Sequence, residues 1–180
     1  MPSNNRLQRT LVGNMGAPKF LACVLVVLGS PASWAGEPRS WQLTRSSVER
    51  VRVPDAIATH PVLIELEIPS GVGSTSIARR DLNDDGAAEY FVQSAPTLCG
   101  NGGCPYAIFD GRTLSYLGQV FGNVIREREE RFKGWAVLEC FAHLGASSTA
   151  YGIFAFSGSE YARVSSLELP ASVATRLLER

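Results

Sequence analysis

From residue 76 onward the chain is a succession of short apolar segments separated by turn formers, and this punctuation admits little besides antiparallel β-structure. Residues 76–80, 89–93, 106–109, 114–120, 123–126, 135–141, 151–156 and 161–164 are the strand candidates. They are rich in the β-branched and aromatic side chains that suit a pleated, half-buried surface. Strand side chains alternate, so Tyr90 and Val92 fall on one face of their segment and Phe91 on the other. Asp110-Gly111 is a hairpin turn pair, and Ser157-Gly158-Ser159-Glu160 marks a second hairpin. Tyr106-Ala-Ile-Phe109 before the first turn echoes Tyr151-Gly-Ile-Phe154 before the second. Two ordinary hairpins would look the same.

Helices are confined to the two ends of the chain. Pro170 suits a first turn, and Val173, Ala174, Leu177 and Leu178 make an apolar stripe through residues 170–180. Pro54 and Pro61 limit any upstream helix to short pieces, and Ser46 and Glu49 have capping-box spacing. Residues 36–45 read as a polar, irregular arm. Residues 62–68 alternate and are expected as a strand, broken by the Gly-rich residues 70–75. Together these give an α+β fold: mainly an antiparallel β-sheet of hairpins, with short N-terminal helical pieces and a C-terminal helix.

The first 35 residues are expected to lie outside that fold. Arg6, Arg9 and Lys19 precede an apolar run from Phe20 to Leu28, and Ser33-Trp34-Ala35 follows. This is the layout of a secretory signal peptide cut between Ala35 and Gly36, with Met15 as an alternative start. The run is too short to span a bilayer. Residues 36–180 then form one exported domain, periplasmic or secreted. Overall, 45% hydrophobic and 19% charged residues are ordinary for a globular chain. Losing Arg6, Arg9 and Lys19 takes the formal net charge from zero to −3. No basic patch remains for nucleic acid. The mixed charge run Arg126 to Arg131 reads as a solvated strand end or loop.

Cysteine usage fits export. Cys23 falls in the leader, and Cys99 and Cys104 bracket Gly-Asn-Gly-Gly. Four intervening residues favour a short disulfide over a zinc or redox pair. Closing so small a loop stabilises by about 2 kcal/mol in the chain-entropy picture. Cys140 and His143, three apart, raise the alternative of a cysteine hydrolase. Residues three apart on a strand face opposite ways, however, and Val137, Leu138 and Phe141 suggest a buried, inert thiol. No other catalytic motif stands out, so an enzyme is the less favoured reading.

Residues 81–89, Asp-Leu-Asn-Asp-Asp-Gly-Ala-Ala-Glu, carry the definite chemistry. Oxygen-bearing side chains alternate at Asp81, Asn83 and Asp85, Gly86 follows, and Glu89 closes the stretch. A hard cation such as Ca²⁺ takes six or more oxygens, which a loop of this pattern can supply. It is not an EF-hand: the twelfth position is Val92 and the flanks read as strands. Without an ion, Asp81, Asp85 and Glu89 would repel one another if all turned inward. Asp, Asn and Gly are also ordinary turn formers.

The stretch Asp81 to Val92 resembles the calcium loops of FG-GAP and integrin-propeller-type repeats. The resemblance implies side-chain ligation by Asp81, Asn83, Asp85 and Glu89 and backbone ligation by the Ala87 carbonyl. The chain is also similar to small exported bacterial proteins that place such a loop before a Cys-Gly-x-Gly-Gly-Cys-Pro segment, here Cys99 to Pro105. A single loop in a chain of this length does not make a bladed ring. The expectation is an exported domain with structural Ca²⁺, acting as a binding or interaction module for a protein or glycan. Its recognition surface is expected at the loop from Cys99 to Tyr106, beside the metal loop.

Overall fold

The computed structural model describes residues 41–69 and 74–180, all of them within the compact unit Gly36–Arg180. The expected signal peptide, its cleavage between Ala35 and Gly36, and most of the Gly-rich segment 70–75 lie outside the described residues. Ten strands and three helices follow in order: β1 (Gln42–Thr44), β2 (Glu49–Val51), α1 (Asp55–Ala58), α2 (Val62–Glu65), β3 (Thr75–Arg80), β4 (Glu89–Gln93), β5 (Cys104–Phe109), β6 (Tyr116–Gly122), β7 (Val124–Phe132), β8 (Trp135–His143), β9 (Ser148–Phe156), β10 (Tyr161–Pro170) and α3 (Ala171–Leu178). A short 3₁₀ turn at Pro96–Leu98 lies between β4 and β5.

The strands make two antiparallel sheets. The first runs β2-β3-β4-β5-β6 and the second β1-β7-β8-β9-β10. Apart from β1, each is a meander of consecutive strands, as short turns dictate. The fold is therefore mostly β, and the helices are a minor part of it. The two sheets face each other across one core. Phe91, Tyr106 and Ile108 come to it from the first sheet, and Ile125, Leu138 and Cys140 from the second. The outer face of the first sheet is covered by Ile57 of α1 and by Val62 and Leu63 of α2. The outer face of the second is covered by Ala174 and Leu177 of α3, packed on Phe141 and Tyr151. Tyr90 and Val92 reach the outer cluster and Phe91 the inner one, as alternation requires.

Four upstream or charged stretches depart from the sequence reading. Residues 62–68 do not form a strand. Val62, Leu63 and Leu66 are buried while Ile64 is 69% exposed, a helical spacing that Pro61 initiates. Glu67 then turns with φ 53°, ending the segment. Residues 42–44 are a strand paired with β7, not part of an irregular arm. Ser46 and Glu49 cap no helix: the Ser47 amide donates to the Thr44 carbonyl at 3.0 Å and closes a turn into β2. The run Arg126 to Arg131 occupies the end of β7 with Glu129 and Glu130 exposed, as expected of a strand end, but its Glu127 is buried and ion-paired rather than solvated.

The two Tyr-x-Ile-Phe echoes fall on equivalent elements. Each lies in the hairpin that ends its sheet, β5–β6 in one and β9–β10 in the other. Among the described residues no helix is long and apolar enough to cross a membrane.

Candidate metal centre

Residues 81–88 connect β3 to β4, and their conformation is written by their own short polar side chains. The Asp81 carboxylate accepts from the amides of Asn83 (3.4 Å), Asp85 (3.3 Å) and Gly86 (2.9 Å). Asn83 Oδ1 accepts from the Asp85 amide at 3.1 Å, and Asp85 Oδ1 from the Ala87 amide at 2.8 Å. Such side-chain-to-backbone bonds are what Asp and Asn offer a turn. The chain must pass through positive φ to complete the curl, at Asp84 (58°) and Gly86 (84°). Asp and Gly tolerate that conformation.

The far end of the loop is different in kind. Glu89 opens β4, and its side chain is fully buried. Oε2 accepts from the Leu82 amide at 2.6 Å, while Oε1 is buried with no hydrogen-bond partner among the described residues. Burial pushes the carboxyl up to about 7. The Leu82 hydrogen bond opposes the shift, as do the nearby Gly111 and Glu89 backbone amides, which do not reach Oε1 in hydrogen-bonding geometry, and the Asp81 charge adds to it. An orphaned carboxylate oxygen in the interior costs free energy unless something binds it.

The loop is gripped by both sheets. Its Leu82 side chain is buried in the inter-sheet core. The Leu82 carbonyl accepts from the Ala136 amide of β8 at 2.7 Å and from Arg131 of β7 at 2.9 Å. Arg131 also reaches Asp84 at 3.2 Å and Glu127 at 2.9 Å. Arg80 pairs with the same Glu127 at 2.5 Å. On the other side, Arg112 donates to the Asp85 carbonyl at 2.7 Å and lies 3.5 Å from its carboxylate.

The structure thus brings Asp81, Asn83, Asp85, Ala87 and Glu89 into one loop. Among the described residues, however, no three His, Cys, Asp or Glu side chains converge as a ready cage. The donor set suits a hard cation in kind, because every candidate ligand is an oxygen. The orphaned Glu89 oxygen fits as well. Part of the like-charge problem raised by the sequence is met by Arg112 and Arg131. Neither is identifiable as a loop partner from the sequence, because each lies far along the chain. Only the mixed charge run containing Arg131 hinted at it.

The other candidate positions separate. The Cys99 and Cys104 sulfurs lie at disulfide distance, with Cα atoms 4.3 Å apart. Gly100 and Gly103 exchange backbone hydrogen bonds between them. This loop is not beside the metal loop. Arg80 pairs with Glu89 at one end of β4, and Tyr106 pairs with Gln93 at the other. The five residues of β4 therefore separate the two loops. What neighbours the acidic loop is the β5–β6 turn at Asp110-Gly111.

Cys140 is buried between the sheets, and burial holds its thiol far above the usual range. His143 is exposed at the end of β8. A backbone hydrogen bond from Phe121 opposes the shift without overcoming burial, and among the described residues no hydrogen bond joins the imidazole to the thiol, so the pair lacks the geometry of a nucleophile and its base.

No family model, no curated protein and no solved structure matches the chain.

Proposed function

We propose that residues 81–89 bind a structural calcium ion in an exported β domain that acts through its surface. The observation that carries this reading is the buried, unpartnered Oε1 of Glu89 at the end of an all-oxygen loop. Asp81, Asn83 and Asp85 would hold the ion with their side chains, Ala87 with its carbonyl and Glu89 with its carboxylate. The ion would supply the positive charge that lets Asp81 and Glu89 ionise together. Because Leu82 ties the loop to both sheets, the bound ion would fix the sheets against each other, beyond the β3–β4 hairpin alone.

Thermal melting with calcium and with a chelator tests the proposal. At one hundred times Kd the ion adds about 2.7 kcal/mol, or roughly 5–10 °C in a domain of this size. Asp85→Ala should melt at one temperature in both buffers. An identical melting temperature for the unaltered chain with and without calcium would remove the metal from the account.

Recognition of a protein or glycan is the second half of the reading. One observation favours the end of the molecule that carries the Cys99–Cys104 loop. Phe121 is 45% exposed and lies against Gly102, and Leu144 next to His143 is 57% exposed. Large apolar side chains beside a stapled turn suit a recognition surface. A partner captured from the exported fraction should be lost with Phe121→Ser. Equal capture by both proteins would remove this surface from consideration.

A further inference from the structure

We propose that the chain self-associates through the outer edge of β10, two copies pairing antiparallel about a two-fold axis at Ser166. β10 is bonded to β9 along one edge, and among the described residues no strand lies along the other. Residues 163–168 are all exposed, with Val164 at 62% and Leu167 at 55%. Such an edge offers backbone donors and acceptors to any strand that matches it.

The strand that matches it is its own copy. Ser165, Leu167 and Leu169 stand across from Ile153, Tyr151 and Thr149, on the face that α3 covers. Ser166 and Glu168 stand across from Gly152 and Ala150, on the opposite face. A bulge between Arg163 and Ser165 adds one residue, so Arg163, across from Phe154, shares the face of Glu168. A two-fold axis perpendicular to the sheet preserves faces, so it pairs positions of like face. Centred on Ser166, it sets Ser166 against its copy and Ser165 against Leu167. Glu168 then meets the bulge at Arg163 and Val164. Opposite charges face each other at both ends of the ladder, and Leu167 of each copy lies near Val164 of the other.

Bulges and charges on edge strands ordinarily discourage pairing. Here the charges favour this register and disfavour another. Moving the axis two residues toward the C-terminus sets Glu168 against Glu168, a like-charge pair. The two bulges fall at the ends of the ladder, where they do not interrupt its centre. This surface is distinct from the calcium loop, so the association is expected to be the same in calcium and in chelator.

Sedimentation equilibrium on the purified protein tests the pairing. The expected result is a monomer–dimer equilibrium that Arg163→Glu and Glu168→Arg each weaken at least tenfold. The double reversal Arg163→Glu with Glu168→Arg should restore it. Under mild oxidation Ser166→Cys should give a disulfide-linked dimer, and Ser159→Cys should not. All these positions are exposed, and thermal melting checks that each variant folds. A protein that stays monomeric at every concentration overturns the proposal. So does a dimer indifferent to both single reversals, or a Ser166→Cys variant that fails to cross-link.

Discussion

Without calcium, the folded chain should lose about 3 kcal/mol of stability as the pH rises through the interval between the ordinary glutamate pKa and that of Glu89. The Glu89 carboxyl is raised by burial to about 7 from 4.5. Within that interval the folded chain keeps a proton that the unfolded chain has released. The folded state binds more protons, so unfolding becomes easier as the pH increases. The contribution is fully present below 4.5 and lost above about 7. The groups around Glu89 are Asp81, which opposes its ionisation, and Tyr161, whose own pKa is raised by burial and by the Glu89 charge. Glu130 shifts the other way, down to about 2, through its hydrogen bond with Arg128, and so acts at more acid pH.

Calcium should invert this behaviour. The ion needs the carboxylate, so its stabilising effect should be small near pH 5 and complete only above pH 7. Glu89→Gln separates the two effects. The amide carbonyl can still accept from Leu82, but the side chain is neutral at every pH. Chemical denaturation of this variant in chelator should show no slope from Glu89 and little response to calcium. A slope that survives in Glu89→Gln would assign the pH dependence to other groups.

The same residue shows what could be read from the chain. The Asp-x-Asn-x-Asp-Gly spacing identifies the loop because its turn bonds are local: Asp81 and Gly86 are five positions apart, and the side chains carry their own hydrogen-bond instructions. The strand candidates from residue 76 onward were legible for a related reason, since alternation and turn chemistry act over a few positions. Partnerships across the sequence were not legible. Arg131 meets Leu82 and Asp84 only because β7 and the β3–β4 connection come from facing sheets. Nothing in residues 42–44 announces that they pair with β7 and not with the nearby β2. Residues 62–68 alternate like a strand yet turn helical because alternation in so short a run is weak against Pro61 and against the demand to cover a sheet face. The placement of the Cys99 loop failed likewise. Closeness in sequence to residues 81–89 says nothing about which end of a strand a loop occupies.

Gly111→Ala should destabilise the protein by about 1–3 kcal/mol and weaken its response to calcium, since overpacking a fixed contact costs that much. A Cβ at this position would stand 2.4 Å from the Ala88 carbonyl oxygen, 2.7 Å from the Ala88 carbonyl carbon and 2.9 Å from that of Ala87. All three are backbone atoms of the acidic loop, and no flexible side chain can swing aside. The turn that carries Gly111 is itself stiff. The Asp110 carboxylate accepts from the amides of Arg112 (2.9 Å) and Thr113 (2.5 Å) and from the Thr113 hydroxyl (2.9 Å). The strain must therefore pass into the loop, where it moves the Ala87 carbonyl and the Glu89 side chain together. Gly134→Ala is the matched control. Gly134 has φ 82° but nothing within 4 Å of the added methyl group, so only the conformational cost of about 1 kcal/mol applies. Both variants should melt earlier than the unaltered chain. Only Gly111→Ala should also show a smaller difference between calcium and chelator. If the two variants respond to calcium alike, the β5–β6 turn does not position the loop for its ion.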